Sequence, residues 1–161
     1  MSKYVEAANW ISGQRQAKNI FQNFNEMFDL ESFEDAYLVQ DALETVWAHK
    51  GDVIGYKLAL TSKAMQNMFG VSTPFKGNLF SETILKGDQV ISLKNYGRLG
   101  VEFELAIEIG EDFGTNSNDL TVEKCMSKVS AVYPAFELID DRKADYSKVN
   151  LISTTADNSW N

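Results

Sequence analysis

One cysteine, one histidine and two prolines are all that 161 residues contain of those types, and each scarcity closes off some chemistry. Cys125 has no second cysteine to join, so there is neither an internal disulfide nor a thiolate cluster. With His49 alone, no histidine metal site can form, and a Ser-His-Asp triad would have to draw on a residue near the predicted end of a helix. Any bound metal must therefore be held by oxygen, which favours Mg²⁺, Mn²⁺ or Ca²⁺ over zinc or copper. Positive charge is also short: 15 Lys and Arg stand against 23 Asp and Glu, a formal net charge of −8. That balance is a poor footprint for nucleic acid or an anionic membrane. A small anionic substrate is compatible with it only where a lysine or a bound cation offsets the field. No window approaches transmembrane length, and MSKYVEAANW carries no signal-peptide apolar run. The default expectation is a soluble cytoplasmic protein.

What is present is ample apolar material: 44% hydrophobic and 12% aromatic residues, enough for one domain with a real core. Residues 3–13 and about 15–28 read as helices, the second from Ile20, Phe21, Phe24, Met27 and Phe28 at helical spacing. Ser32, with Asp35 three residues on, predicts a capped helix whose stripe is Ala36, Val39, Leu43, Val46 and Trp47, with Gly51 as its stop. VIGYKLAL from Val53 reads as a short buried strand. Thr61 or Ser62 can cap the short helix KAMQNMF, which Gly70 ends, and Pro74 and Gly77 mark a turn region. QVISL, 89–93, is another strand candidate, and KNYGRLG a loop. GVEFELAIEIG alternates strictly and predicts a strand over 101–109. EDFGTNSND reads as a polar loop, Thr121 as the start of a helix to about Val129, and AVYPAFELI as a strand with an edge or bulge at Pro134. The order, helices first and strands later, indicates an α+β chain: a helical segment over 1–52, then a strand-rich part over 53–161.

Four places could carry chemistry. Glu102 and Glu104 lie two apart on the predicted strand, so both project from one face and can converge on a cation; the alternative is a solvated acidic face, with Val101, Phe103 and Leu105 opposite as core. Glu108 shares the acidic face and reads as an ordinary solvated charge. Glu137, set in apolar PAFELID, is a third ligand candidate or else the partner of Arg142 or Lys57. Lys57 shares its strand face with Gly55 and Ala59, small neighbours that leave room for a ligand. It is either an acid–base lysine or a surface lysine on a one-sided strand. Asn158, in TTADNSWN, could turn the backbone or hydrogen-bond a ligand.

GYKLALTSKAMQ, GVSTPFKG, VEFELAIEIG, PAFELIDDR and TADN occur in that order. Together they resemble the 2-keto-4-pentenoate hydratase and 4-oxalocrotonate decarboxylase group of the fumarylacetoacetate hydrolase superfamily, from about residue 30 onward. The resemblance implies N-terminal helices followed by a fumarylacetoacetase-like mixed β-roll core. It implies that Glu102, Glu104 and Glu137 ligate Mg²⁺ or Mn²⁺ and that Lys57 is the acid–base residue. Leu60, Thr61, Ser62 and Asn158 would lie at the substrate. That substrate would be a small 2-oxo or 2-hydroxy-dienoic acid from aromatic-ring breakdown. Related enzymes commonly form homo-oligomers.

Two departures qualify the match. Many hydratases of the group carry Pro-Asp-Phe-Gly where this chain has Pro74-Phe75-Lys76-Gly77, and an apolar residue in place of that Asp is seen in decarboxylase-type relatives. Family members also usually continue well past the last motif. The expectation is therefore an incomplete core with open sheet edges and exposed apolar surface, and a hydratase reading set against a sister decarboxylase or a non-catalytic fragment.

Overall fold

The computed structural model describes residues 1–114 and 120–160. Residues 115–119, within the expected EDFGTNSND loop, lie outside the described residues. The chain mixes helices and strands and divides into two compact units, residues 1–99 with 139–161, and residues 100–138. The helices over 3–16 and 33–46 and the strands over 53–59 and 75–80 lie in the first unit. Among the described residues no helix is long and apolar enough to cross a membrane.

The first unit is built on α1 (Lys3–Gln16), α2 (Phe33–Val46) and α5 (Leu151–Ala156). Helix α2 starts as the sequence indicates. Ser32 Oγ accepts from the Asp35 amide while the Asp35 carboxylate accepts from the Ser32 amide, a complete capping box. Its stripe of Ala36, Val39 and Leu43 is buried together with Ala7, Ala8 and Ile11 of α1 and with Trp47 and Phe80. Gly51, at φ 82°, closes the short 3₁₀ turn Ala48–Lys50 that follows α2.

The helix expected over 15–28 does not form; α1 ends at Gln16. The chain then turns, with Lys18 and Asp29 in the left-handed region. Phe21 and Phe24 are buried all the same, while Ile20 and Met27 point outward. Tertiary bonds replace helical ones here: the Phe21 amide donates to the Arg142 carbonyl, and the Phe24 and Asn25 amides to Ser153 Oγ. The 3.6-residue spacing of aromatics thus reflects an irregular segment pinned by its neighbours.

Strand β1 (Val53–Ala59) pairs antiparallel with β2 (Phe75–Phe80), joined through α3 (Lys63–Phe69). Ser62 is the N-cap of α3 and Gly70 its left-handed C-cap. Bends at Ser72 and Thr73 precede Pro74, but Gly77 does not belong to a turn: it lies inside β2, opposite Lys57. β1 is also not buried as expected. Ile54, Tyr56 and Leu58 are exposed, and the half-buried side is Gly55, Lys57 and Ala59. QVISL forms no strand; Val90 is fully exposed, and a 3₁₀ turn follows at Leu93–Asn95.

The second unit is mostly a ribbon of two strands, β3 (Leu99–Ile109) and β4 (Val129–Asp140), with the short helix α4 (Val122–Ser127), capped by Thr121, between them. Contacts run antiparallel: the Gly110 amide donates to the Lys128 carbonyl, Glu108 meets Ser130, and Phe103 stacks with Phe136 at 5.2 Å. Pro134 is tolerated because each strand of a two-stranded sheet has an open side. Val101, Phe103 and Leu105 are not core: Phe103 is 87% exposed, and Ile107 and Ile109 continue the exposed apolar row. The strands thus form two separate two-stranded sheets, and no closed roll is present among the described residues.

Candidate functional site

The ribbon brings Glu102, Glu104 and Glu137 together. One carboxylate oxygen from each lies within 4.8 Å of the other two, with Glu102 and Glu104 exposed and Glu137 half-buried. The pleat of β3 puts the two i, i+2 glutamates on one face, and β4 carries Glu137 alongside. The fit to a hard cation is direct. Oxygen ligands sit about 2.1 Å from Mg²⁺ and 2.3–2.6 Å from Ca²⁺. Oxygens across a single ion are therefore roughly 4–5 Å apart, the span found here. Glu108 is not merely solvated as expected. Its carboxylate accepts from Ser130 Oγ at 2.9 Å and from the Tyr133 hydroxyl at 2.8 Å, and that bond raises the Tyr133 pKa above its ordinary value. It is fastened further along the ribbon, apart from the three convergent carboxylates.

Lys57 belongs to the first unit. Its Nζ donates to the Ser159 carbonyl at 2.6 Å. Leu60 is left-handed at φ 56°, and its carbonyl accepts from Gln66 Nε2; Ser62 Oγ is occupied in capping α3, while Thr61 is exposed. The Asn158 amide grips the backbone of Asn78 from both ends, Oδ1 accepting from its amide at 2.6 Å and Nδ2 donating to its carbonyl at 3.0 Å. Phe75, at the position where the sequence resemblance expects an Asp in many hydratases, is buried with its ring tilted against that of Phe33 at 4.5 Å.

Sequence reasoning missed a fully buried carboxylate of this unit. Asp157, with no exposed surface, accepts from Arg15 Nε and from Arg142 Nη2, each at 2.7 Å. Arg15 Nη2 also reaches the Asp157 carbonyl at 2.7 Å. Arg142 is therefore the partner of Asp157. Burying a charge is unfavourable unless it is paired and hydrogen-bonded, and two guanidinium groups answer one carboxylate here. The only sequence signal was the DDR and ADN motifs, whose charges are far apart in the chain from Arg15.

The three convergent carboxylates of the ribbon form a candidate oxygen-donor cation site in a chain that mixes helices and strands. Comparisons with known proteins narrow this. No family model matches the chain. It is 28% identical over 155 residues to the 2-keto-4-pentenoate hydratase of Paraburkholderia xenovorans (strain LB400), covering 96% of this chain and 56% of that protein. It is 33% identical over 138 residues to the 2-hydroxypent-2,4-dienoate hydratase of Pseudomonas putida, covering 82% of this chain and 59% of that protein. The fold matches 4-oxalocrotonate decarboxylase from Pseudomonas putida G7, solved with magnesium and adipate, with a TM-score of 0.86 at 23% identity, over 98% of this chain and 59% of that one. The chain is thus similar to the 2-keto-4-pentenoate hydratases and shares its fold with a 4-oxalocrotonate decarboxylase. It spans somewhat more than half the length of these relatives.

Proposed function

We propose that this chain provides the metal-binding and acid–base residues of a divalent-metal-dependent hydro-lyase that adds water to a small 2-hydroxy-dienoic acid. The observation that carries the reading is the convergence of Glu102, Glu104 and Glu137. Support comes from the hydratase relatives and from the magnesium in the structural neighbour. In this reading the three glutamates hold Mg²⁺ or Mn²⁺, within a fumarylacetoacetase-like core in the cytoplasm. When bound, such a cation supplies the positive charge that draws in and polarises an acidic 2-oxo compound, despite the net charge of −8. Lys57 holds the proton exchanged with substrate carbon as dienol and enone interconvert. Gly55 and Ala59 beside it leave space for the acid, and the Leu60-Thr61-Ser62 turn borders that space. Asn158 closes it by fastening Asn78.

A second reading is a decarboxylase of the 4-oxalocrotonate type. Phe75 favours it, because a ring packed on Phe33 cannot assist the addition of water as a carboxylate would. One experiment separates the two. The purified chain with Mg²⁺ is given 2-hydroxypenta-2,4-dienoate, then 2-oxohex-3-enedioate. Loss of the dienol absorbance with formation of 4-hydroxy-2-oxopentanoate supports the hydratase; CO₂ release from the second compound supports the decarboxylase. Mn²⁺ binding with neither turnover would leave a binding role only, and absence of Mn²⁺ binding would overturn the metal site.

A further inference from the structure

Asn158, Ser159 and Trp160 are three consecutive non-glycine residues in the left-handed region, at φ 53°, 52° and 68°. Side chains disfavour that conformation, so such a run persists only where its surroundings over-determine it. The surroundings here are specific. Asp157, the residue before the run, is clamped by Arg15 and Arg142, and Arg15 also holds its carbonyl. Asn158 is tied to Asn78, and the Trp160 ring packs edge-on against Phe21 and Tyr146 at 5.5 and 5.4 Å. The middle residue, Ser159, thereby turns its carbonyl to the Lys57 ammonium at 2.6 Å. Gly77, across the strand pair from Lys57, leaves the room this needs: a Cβ there would meet the Asn158 carbonyl oxygen at 2.6 Å and Lys57 Cε at 3.1 Å.

We propose that Asp157 is a positioning residue for Lys57: locked between two arginines, it sets the left-handed turn whose Ser159 carbonyl holds the lysine ammonium in place. The proposal rests on the reading of Lys57 as the acid–base group only for its functional meaning. Its geometry stands apart from that reading, and so does its test. Arg15 from α1 and Arg142 from after β4 meet at one carboxylate, so two distant stretches of chain act on Lys57 through the same turn.

The test is acetylation of the full chain by an amine-reactive ester, read lysine by lysine by peptide mass spectrometry. Lys3 and Lys148 serve as references, because their carboxylate partners are Asp35 and Asp145. In the wild type Lys57 should label more slowly than either. In Asp157→Asn its labelling relative to the references should rise roughly fivefold, which converts to about 1 kcal/mol, the net worth of one hydrogen bond. General loosening of the fold would instead raise all lysines together and flatten hydrogen-exchange protection in α1 and α2. Should Asp157→Asn fail to fold, Gly77→Ala makes the same test without touching the ion pairs, by pushing the Asn158 carbonyl away. An unchanged Lys57 ratio in either folded variant overturns the proposal, as does a wild-type Lys57 that labels as fast as Lys148. Full turnover by Lys57→Met would remove the lysine from the chemistry and leave this result standing.

Discussion

Glu104→Gln should change the stability of the β3–β4 ribbon in opposite directions with and without a divalent cation. The three carboxylate oxygens are at most 4.8 Å apart and mainly exposed. In a water-like dielectric each like-charged pair at that distance repels by about 0.9 kcal/mol. Physiological salt, with a screening length of about 8 Å, reduces this to roughly half. Glutamine at 104 removes two of the three pairs, so the ion-free ribbon should gain about 1 kcal/mol. With an ion present the balance reverses, since one of three anionic ligands is gone. Mn²⁺ affinity should fall at least about tenfold, or about 1.4 kcal/mol. Two measurements read these effects. Hydrogen exchange of the amides of 102–108 and 130–137 in EDTA should slow in the variant, because exchange reports local opening. A Mn²⁺ titration followed by electron paramagnetic resonance should show the loss of affinity. Faster exchange in EDTA, or undiminished Mn²⁺ binding, would refute the convergent-carboxylate reasoning.

Lys50 supplies a pH prediction. Burial first, then the Arg15 guanidinium, push its ammonium down to about 8 from the ordinary 10.5. Its Nζ lies 3.6 Å from the Trp47 ring centroid. The unfolded chain then binds more protons between those values, so stability rises from pH 8 upward, by as much as about 3 kcal/mol. Tyr146, pushed up to about 12 by burial and by its bond to Asp141, opposes the rise above pH 10, where the unfolded phenol ionises first. Urea unfolding at pH 7, 8, 9 and 10 should show the climb in the wild type and lose most of it in Lys50→Met; equal slopes would dismiss Lys50 as the cause. Ser32→Ala breaks the capping box of α2 and should cost about 1 kcal/mol in urea unfolding, with no change in Mn²⁺ binding. Phe24→Ala should cost roughly 3–5 kcal/mol, because the ring is 1% exposed and packs on Trp10 and Phe28; a loss below 1 kcal/mol would mean that the segment collapses into the space.

The caps and the alternating strand were legible because they are local. Ser32, Ser62, Thr121 and Gly70 act on their own turn, and the alternation of 101–109 needs only the pleat. The convergence of the three carboxylates was legible in part because two of them are two residues apart, although naming Glu137 leaned on its apolar setting and on family resemblance. What could not be read was decided across long separations. Phe21 and Phe24 at helical spacing were claimed instead by Arg142 and Ser153. The exposure of Ile54, Tyr56 and Leu58 on a strand read as buried was not visible locally, and the carbonyl that the half-buried Lys57 meets comes 102 residues later. Asp157 looked like a turn residue, and its two arginines lie 142 and 15 positions away.

The exposed apolar row on the ribbon has a mechanical consequence. Strands usually resist sliding because one face is buried and a one-residue slip would turn it outward. Here both faces meet solvent, so burial hardly opposes a shift by two residues, which would keep every side chain on its own side. Such a shift would carry Glu137 about 7 Å along β3, and no single ion could then span all three carboxylates. A cation held by Glu102, Glu104 and Glu137 would therefore act as a bolt through the ladder, adding to the Phe103–Phe136 contact and the Glu108 bonds in fixing an alignment that burial does little to hold.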